Sequence, residues 1–331
     1  MERSFDVYGV GHALVDIQYR VDVETLDKLG IEKGVMTLID SQRQQALLEQ
    51  LNRDPIASAS GGSAANTMIG ISQFGGKPFY ACLTGRDTWG DFYQTDLEKA
   101  GVATDPAHRT DGTTGQCVVF ITPDADRTLN TFLGVGSAIS TTQLDGEKIA
   151  DSRYIYLEGY LLSSDNGFET CLQAQAMAQR VGTSVALTLS DPFMVATFKD
   201  RFTQLVDNGV DVLFCNEDEA NTFTDSTEST QAIERLGQRV PLVCVTCGAN
   251  GVLIRQGEHC VSVPAIAVEA VDTNGAGDLF AGGFLYGITH ELGVEQAGKI
   301  GSYAAAQVVA QYGPRLQKTL EGVESILAQF E

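Results

Sequence analysis

The chain has 331 residues, which suffices for one large α/β domain or two average domains. It carries 22 lysine and arginine residues against 43 aspartate and glutamate residues, a formal net charge of −21 at pH 7. This negative charge repels phosphate backbones and anionic lipids, so nucleic acids and membranes are excluded as expected partners.

The first apolar run, FDVYGVG, predicts a buried strand, and a helix is expected over residues 63–74. The runs YIYLEGYLL, TSVALTLS and DVLFCN are each followed by a helical segment, and LVCVTCG is followed by the strand-like GVLIRQG. This alternation predicts right-handed crossovers and a mostly parallel sheet with helices on both faces. Two amphipathic helices, over residues 295–311 and 317–330, are expected to complete the fold.

Two segments fall outside this alternation. QCVVFITPDADRTLNTFLG has two strand-like halves around the turn residues 123–126, which predicts an exposed hairpin, and GVMTLID near residue 37 is another candidate strand. They predict a small β-sheet lid, formed by segments of approximately 14–41 and 107–133 within a single domain of residues 1–331. If one face of this sheet is apolar, substrate or a second subunit must cover it, so a monomer or a lid-mediated homodimer is expected.

The N-terminal segment lacks the apolar core and cleavage site of a signal peptide. No apolar run reaches the roughly 18 residues that a membrane span requires. A cytoplasmic location is therefore expected.

The stretch VDTNGAGDLFAGGFLYGI, residues 271–288, contains five glycines in a segment that otherwise predicts a helix. An interior helix glycine costs about 1 kcal/mol relative to alanine. The small residues 274–277 would expose backbone N–H groups at the helix N-terminus, where the macrodipole favours a phosphate. The later glycines are expected only to let the helix pack closely.

Asp278 lies in the expected first turn of this helix. The helix dipole is expected to hold its carboxylate ionised. It would then accept a proton from a substrate hydroxyl that attacks a bound phosphoryl group. The alternative is a glycine-rich turn in which Asp278 is an ordinary first-turn acid.

Four motifs together resemble the PfkB, or ribokinase-like, family of carbohydrate kinases. DTNGAGD (272–278) is similar to the C-terminal signature DTxGAGD, and GGSAANTMIG (61–70) to the N-terminal signature GGxxxN. NEDE (216–219) is similar to the family's NxxE element, and TCGANG (246–251) to its TxGxxG nucleotide loop. The resemblance implies a three-layer α/β/α sandwich with a mostly parallel central sheet and a small β-sheet lid.

The resemblance also implies roles for the motif residues at the phosphate. Asp278 would be the catalytic base, and the amides of Gly275, Ala276 and Gly277 would form the anion hole. The residues implied to contact ATP are Asn216, Thr246, Gly248 and Gly251. Glu219, with Asn216, would organise Mg²⁺ through water, and carbonyls near Asp272 and Asn274 would supply part of a K⁺ site.

Further residues are implied to contact the acceptor substrate: Asp16, Gly61, Gly62, Ser63 and Asn66. A carboxylate and an amide that bind adjacent hydroxyls suit a polyol. The alternatives are that Asp16 caps a turn and that Asn66 lies on a solvated helix face.

Two segments resemble the adenosine kinase subgroup of this family. LTLSDPFMVATFKDRF (187–202) is similar to its LSxPF segment, and ALVDIQYRVD (13–22) to the segment around its ribose-binding aspartate. Leu14 and a lid residue such as Phe132 or Leu133 would then hold a purine base, although such residues are more often part of a core. Asp191, however, stands where that subgroup often has a small neutral residue, and residues 36–40 match no substrate-defining pattern.

Arg127 begins the second half of the predicted hairpin. When the lid closes, its guanidinium is expected to reach the transferred phosphate and stabilise the developing charge. The alternative is a surface arginine that pairs with Asp124 or Asp126.

The leading hypothesis is transfer of the γ-phosphoryl group of ATP, with Mg²⁺, to the 5′-hydroxyl of a nucleoside, adenosine first among them. The closest alternative is the same chemistry on a free sugar such as ribose or fructose. A non-catalytic sugar or nucleotide sensor is an alternative of another class. A dehydrogenase is disfavoured because GVGHAL lacks the third glycine of GxGxxG.

Overall fold

The computed structural model of the protein describes residues 3–124, 126–317, 320 and 322–330. The strands are β1 (Phe5–Val10), β2 (Leu14–Arg20), β3 (Met36–Leu38), β4 (Ala57–Gly61), β5 (Pro78–Ala81), β6 (Thr84–Gly85), β7 (Ala103–Thr104), β8 (Arg109–Thr110), β9 (Gly115–Ile121), β10 (Arg127–Phe132), β11 (Ser152–Leu157), β12 (Ser184–Thr188), β13 (Val212–Asn216), β14 (Leu242–Thr246), β15 (Val252–Gln256) and β16 (His259–Val263).

The α-helices are α1 (Val23–Leu29), α2 (Ser41–Leu51), α3 (Ser63–Gln73), α4 (Thr88–Lys99), α5 (Gly146–Ala150), α6 (Asp165–Val181), α7 (Pro192–Asp207), α8 (Glu217–Thr224), α9 (Ser229–Gly237), α10 (Ala276–Thr289), α11 (Val294–Val309) and α12 (Val323–Ala328). Short 3₁₀ helices cover Gly134–Ala138, Thr141–Gln143, Gly159–Ser163 and Gly248–Asn250. Within the described ranges, no helix is long and apolar enough to cross a membrane.

The central sheet has the strand order β16-β15-β14-β13-β12-β11-β1-β5-β7. Neighbouring strands from β7 to β14 are parallel, whereas β15 and β16 are antiparallel to their neighbours. Alternate residues of β1 face opposite sides: Val7 packs in one core cluster with Met68 of α3 and Phe284 of α10, and Tyr8 packs in another with Phe202 of α7. Helices thus cover both faces, and the predicted three-layer α/β/α sandwich is confirmed.

A second sheet has the order β3-β10-β9-β2-β4. The hairpin predicted around residues 123–126 corresponds to β9 and β10, and the strand predicted in GVMTLID is β3, which runs parallel to β10. This sheet matches the predicted lid but also includes β4, which the predicted lid segments leave out. A two-stranded sheet of β6 and β8 stands apart from both.

The prediction that the hairpin is exposed is wrong, because every residue of β9 is buried. On one face of the lid sheet, Val118 and Phe120 join a core cluster that also contains Leu26 of α1 and Leu47 of α2. The other face carries a small cluster of its own, which we call the lid strip: Cys117, Val119, Ile121 and the half-buried Leu129. The turn signal located the hairpin but gave no information about what packs on its two faces.

At the C-terminal end, the helix predicted over 295–311 is confirmed as α11, but the helix predicted over 317–330 is shorter than expected. Its described part, α12, begins after Gly322, since glycine favours a helix end over an interior. Residues 318, 319 and 321 of the prediction lie outside the described part of the chain. Before α12, residues 311–316 contact other parts of the fold, with the Gly313 N–H donating to Asp272 and Arg315 forming an ion pair with Asp96.

The later glycines of α10 lie where two other helices approach closely. A Cβ on Gly282 would lie 2.8 Å from the carbonyl oxygen of Thr67 in α3. A Cβ on Gly287 would lie 2.6 Å from the Cα of Ala297 in α11. The expectation that these glycines serve packing is confirmed. A larger residue at either position would force α10 away from α3 or α11.

We predict that Gly287→Ala destabilises the protein. The added methyl group overlaps the backbone of α11, and this overpacking exceeds the gain in helix propensity, for a net loss of about 1–2 kcal/mol. Gly277→Ala is the matched control in the same helix, because its Cβ would meet no atom within 4 Å. Urea unfolding of both variants checks the prediction, and equal midpoints would contradict it.

Candidate active site

The carboxylate of Asp278 lies between the N-terminal turns of α3 and α10. The hydroxyl of Ser63 donates a hydrogen bond to its Oδ1 at 2.6 Å, and Asn66 Nδ2 donates to its Oδ2 at 3.1 Å. Asp278 is in the first turn of α10, and both donors are near the start of α3. The fold therefore brings the two signature motifs into direct contact.

The first turn of α10 leaves its N-terminal side open. Gly275 is the N-cap, with a left-handed φ of 80°, and a Cβ there would lie 2.7 Å from Pro314 Cβ, so glycine is required. The Ala276 N–H makes only a long hydrogen bond of 3.3 Å to the Thr273 carbonyl. A Cβ on Gly277 would meet no atom within 4 Å. Since the first N–H groups of a helix lack intrahelical acceptors, this turn fits the predicted anion hole.

The pKa of Asp278 lies well above the ordinary value for aspartate. Burial raises this pKa to about 7, while the hydrogen bonds from Ser63 and Asn66 lower it and the charges of Glu158 and Asp16 raise it further. The prediction that the helix dipole keeps the carboxylate ionised holds only in part: with a pKa of about 7 the group is about half ionised at neutral pH, because the loss of hydration opposes a dipole effect of up to about 2 kcal/mol. A carboxyl group that titrates near neutrality is suited to proton exchange with a hydroxyl.

Asp16 is a buried residue within β2, with 8% of its surface exposed. Its position in the strand rules out the alternative that it caps a turn. Its carboxylate packs against Gly61, where a Cβ would lie 2.7 Å from Oδ2. Burial raises the pKa of Asp16 to about 6, although the charges of Arg315 and Arg127 lower it. Within the described residues no group donates a hydrogen bond to this carboxylate, so it is available to a ligand hydroxyl.

Asn66 and Gly62 complete this acceptor side. Asn66 is 5% exposed, so the alternative of a solvated helix face is wrong. Its Oδ1 is buried and has no hydrogen-bond partner among the described residues. Gly62, the N-cap of α3, has a φ of 101°, and a Cβ there would lie 2.4 Å from the carbonyl oxygen of His12. Asn66 Oδ1 and the Asp16 carboxylate are thus two buried acceptors to which no described residue donates.

The two predicted base contacts lie near the same end of the lid sheet but on different faces. Leu14 pairs with Gly115 of β9, and Phe132 pairs with the next residue, Gln116. Because paired residues face the same side of a sheet and neighbours alternate, Leu14 shares the face of Asp16 whereas Phe132 does not. Leu133, the other residue considered, lies after the end of β10 and precedes the 3₁₀ helix Gly134–Ala138, so the alternation of the strand does not extend to it.

Arg127 is buried and forms an ion pair with Asp272, with 2.9 Å between Nε and Oδ2. The alternative of a surface arginine paired with Asp124 or Asp126 is wrong, because Lys33 pairs with both of those carboxylates. Arg127 Nη2 has no hydrogen-bond partner in the described part of the chain. Its predicted contact with a transferred phosphate stays a prediction.

Asp272 supports the loop before α10 through several contacts. Its Oδ1 accepts a hydrogen bond from the Asn274 N–H at 3.0 Å, and its Oδ2 accepts one from the Gly313 N–H at 2.9 Å. Both carboxylate oxygens are therefore engaged with protein. A K⁺ ion at Asp272 and Asn274 would have to use backbone carbonyls, as the sequence resemblance implies.

Asn216 and Glu219 form a capping box at the start of α8. The Asn216 N–H donates to Glu219 Oε2 at 3.1 Å, Asn216 Nδ2 donates to Oε1 at 2.8 Å, and the Glu219 N–H donates to Asn216 Oδ1 at 2.8 Å. Burial raises the pKa of Glu219 to about 7, and the charges of Asp191 and Asp278 raise it further. The described residues contain no group of three or more His, Cys, Asp or Glu side chains that could bind a metal ion. The arrangement fits a cation held through water.

The predicted nucleotide loop lies beside this capping box, because Thr246 pairs with Asn216 at the ends of β14 and β13. Gly248 has a φ of 53° and is exposed, and a Cβ there would meet nothing within 4 Å. Gly251 has a φ of 90°, and its Cβ would lie 2.1 Å from the Val263 carbonyl oxygen. The NxxE and TxGxxG elements are thus neighbours at one edge of the sheet.

Sequence reasoning gave no role to a buried pair, His12 and Glu158. His12 Nδ1 lies 3.0 Å from Glu158 Oε1, and the two residues are 3% and 1% exposed. Both follow the carboxyl ends of parallel strands, β1 and β11, which is the sequence signal that could have identified them. His12 and Glu158 are far apart in the sequence, so their spacing does not indicate that the two side chains are in contact.

Comparison with known proteins adds independent findings. A profile described as pfkB family carbohydrate kinase matches residues 40–320. A solved structure of a probable sugar kinase protein from Rhizobium etli has 34% sequence identity and a TM-score of 0.90, covering 99% of this chain and 100% of that one. The adenosine kinase from Sinorhizobium meliloti has 34% identity and a TM-score of 0.88, covering 98% and 99% of the two chains.

A relative found by sequence is similar over the same extent. The adenosine kinase of Saccharomyces cerevisiae is 27% identical over 326 residues, which cover 92% of this chain and 95% of that protein. Similarity thus extends over nearly the whole chain.

We predict that Asp278→Asn loses at least about 10³-fold in turnover while it retains binding of the acceptor, because the amide cannot take up the proton. In the unmutated protein, kcat/KM should rise with pH through about 7, since Asp278 acts as a base only when ionised. Steady-state kinetics and acceptor titration by calorimetry check both statements. Near-normal turnover of the variant would refute the assigned role.

The raised pKa also predicts how stability depends on pH. The folded protein binds a proton at Asp278 that the unfolded chain releases near pH 4, so this residue lowers the free energy of unfolding as pH rises from about 4 to about 7. Asp278→Asn removes this effect, and its stability relative to the unmutated protein should increase across that interval in urea unfolding. A constant difference would contradict the raised pKa.

Proposed function

Because the chain belongs to the PfkB family of carbohydrate kinases, we propose that it transfers the γ-phosphoryl group of ATP to the 5′-hydroxyl of a nucleoside, with adenosine as the first candidate. Adenosine kinases of about one-quarter to one-third identity match nearly the whole chain. The observation that carries the choice of acceptor is the juxtaposition of an unpartnered buried carboxylate, Asp16, with the apolar lid strip.

The two parts of that surface suit the two parts of a nucleoside. Asp16 pairs in register with Cys117, the first residue of the lid strip, and Gln18 pairs with Val119, the second. A ribose would place hydroxyl donors against Asp16 and against Asn66 Oδ1, both of which lack donors. A purine base adjoining the ribose would then contact apolar surface supplied by the lid strip or by Leu14. A free sugar has no aromatic base that could contact this apolar surface of the protein.

The chemistry follows from the position of Asp278. Its carboxylate, held by Ser63 and Asn66, accepts the proton of the 5′-hydroxyl as that oxygen attacks the γ-phosphorus in line with the departing ADP oxygen. The amides of Gly275, Ala276 and Gly277 receive the phosphoryl oxygens. Arg127, a lid residue with an unpartnered Nη2, adds positive charge on the other side of that group.

ATP would extend from this turn toward Asn216, Thr246, Gly248 and Gly251, where the exposed loop beside β14 leaves room for a nucleotide. Mg²⁺, when bound, neutralises charge on the phosphate oxygens. Glu219 and Asn216 would hold it through water, since their mutual hydrogen bonds already occupy the carboxylate.

The closest alternative is a sugar kinase, which the similarity to the Rhizobium etli probable sugar kinase favours. One sequence feature that pointed this way has a structural explanation. Asp191 is the N-cap of α7 and accepts hydrogen bonds from the N–H groups of Phe193 and Met194. The acidic residue at this position is therefore explained by helix capping and gives no evidence for a sugar as the acceptor. A non-catalytic sensor is less consistent with a base held by two hydrogen bonds.

We further propose that residues 1–331 act as one catalytic unit with a lid, activated by K⁺ through carbonyls near Asp272 and Asn274. Its quaternary state is proposed as a monomer or a homodimer through the lid. A second subunit would contact the edge strand β3 of the lid sheet, where Met36 and Leu38 are exposed. Sedimentation velocity distinguishes the two states.

The acceptor is tested by a coupled ADP-release assay with adenosine, inosine, ribose and fructose. We predict the highest kcat/KM with adenosine, because only a nucleoside fills both the polar and the apolar part of the site. Turnover with ribose and none with any nucleoside would refute the proposal and support the sugar kinase. Acceptor binding without any turnover would support the sensor.

Asp16→Asn should lower kcat/KM for the acceptor by about 10–100-fold, since a charged acceptor of hydroxyl donors is replaced by a neutral one. The effect should appear mainly in the acceptor KM, with the KM for ATP unchanged. Asp111→Asn is the control, because Asp111 pairs only with the exposed Arg86 among the described contacts. An equal effect on both substrates would contradict the assignment.

A further inference from the structure

The buried pair of His12 and Glu158 contacts the first turn of α3, the turn that also donates a hydrogen bond to the carboxylate of Asp278. Glu158 Oε1 is 3.0 Å from His12 Nδ1 and accepts a longer hydrogen bond of 3.4 Å from the His12 N–H. Glu158 Oε2 accepts a hydrogen bond of 2.9 Å from the N–H of Ala64. Both carboxylate oxygens are therefore bound by protein groups.

Neighbouring backbone leaves no space around this carboxylate for a ligand. A Cβ on Gly11 would lie 2.4 Å from Glu158 Oε2 and 2.7 Å from the hydroxyl of Tyr80. That hydroxyl in turn donates to the carbonyl oxygen of His12 at 2.9 Å. Glu158 is only 1% exposed, so its carboxylate is not accessible for direct contact with a substrate.

The contact with Ala64 links the pair to the active site. Ala64 lies in the first turn of α3, where its N–H is one of the groups that the helix itself leaves without an acceptor. The preceding residue, Ser63, donates the 2.6 Å hydrogen bond to Asp278. Glu158 thus fixes the turn from which the catalytic carboxylate is held, and α3 has no side-chain cap of its own.

We propose that Glu158, oriented by His12, is a positioning residue that fixes the first turn of α3 and thereby sets both the orientation and the charge environment of Asp278. This inference rests on the proposed role of Asp278 as base.

Several acidic, hydroxyl or amide groups influence Asp278 from the elements packed around it. They are Glu158 after β11, Asp16 in β2, Glu219 in α8, Tyr156 in β11 and Tyr160 in the following 3₁₀ helix, together with Ser63 and Asn66 of α3. The charge of Glu158 opposes ionisation of Asp278, whereas the hydrogen bond from Ser63 favours it. Removing each should therefore move the pKa of Asp278 in opposite directions.

The experiment compares pH profiles of kcat/KM for the unmutated protein and four variants, with ATP and the acceptor that gives the highest turnover. Glu158→Gln should move the acidic limb to lower pH, and Ser63→Ala should move it to higher pH. Glu158→Gln should also lower kcat by about 10–100-fold through misplacement of the base, with the acceptor KM changed by less than about threefold. Glu169→Gln, on the exposed side of α6, is the control and should match the unmutated protein.

The fourth variant, Glu158→Asp, keeps the charge but shortens the reach to Ala64. It should lower kcat while leaving the acidic limb close to its original position, which separates the effect of position from that of charge. If Glu158→Gln fails to fold, as judged by thermal melting, then Glu158→Asp and Ser63→Ala carry the test. An unaltered kcat in Glu158→Asp would then overturn the inference.

Two other outcomes would also overturn it. One is an acidic limb that moves in the same direction for Glu158→Gln and Ser63→Ala. The other is a large rise in acceptor KM with kcat retained, which would make Glu158 a direct substrate contact. Asp278→Asn, measured in parallel, separates this inference from the proposed function: if it remains active, the base assignment fails, and if it is inactive, the base assignment stands whatever Glu158 does.

Discussion

The candidate site depends on one interaction, the binding of a single carboxylate between the N-termini of two helices. Asp278 in α10 accepts hydrogen bonds from Ser63 and Asn66 of α3, and burial at this contact raises its pKa to about 7. The contact requires α3 and α10 to pack closely, which glycines such as Gly282 allow. The packing of α3 against α10 therefore determines both the hydrogen bonds that Asp278 accepts and the pKa of its carboxyl group.

The proposed acceptor site and the proposed nucleotide site involve different elements around this carboxylate. On the acceptor side the lid sheet supplies Asp16, which is buried without a hydrogen-bond donor in the described residues. On the nucleotide side the paired ends of β13 and β14 place Asn216 beside Thr246. The ion pair of Arg127 and Asp272 connects the lid with the loop before α10. A movement of the lid would therefore also displace the loop that precedes the proposed anion hole. The proposed acceptor site thus lies on the lid sheet, and the proposed nucleotide site lies at the carboxyl ends of strands in the parallel sheet.

Much of this arrangement could be predicted from the sequence, because strand and helix periodicity is local and the four motifs are short. Properties that depend on neighbours distant in the chain could not. The raised pKa of Asp278 could not be foreseen because periodicity does not report burial. The exposure expected for β9 was wrong because the helices that cover it lie elsewhere in the chain. For the same reason, the contacts of Arg127 with Asp272 and of Glu158 with Ala64 carry no sequence signal.

The central claim is that burial between α3 and α10 makes Asp278 a base that titrates near neutrality. The most direct measurement is an infrared titration of the carboxyl groups, taken as the difference between the unmutated protein and Asp278→Asn. The account predicts one carboxyl that loses its proton at a pH of about 7 and is missing from the variant. A difference spectrum that titrates near pH 4, the ordinary value for aspartate, would contradict it.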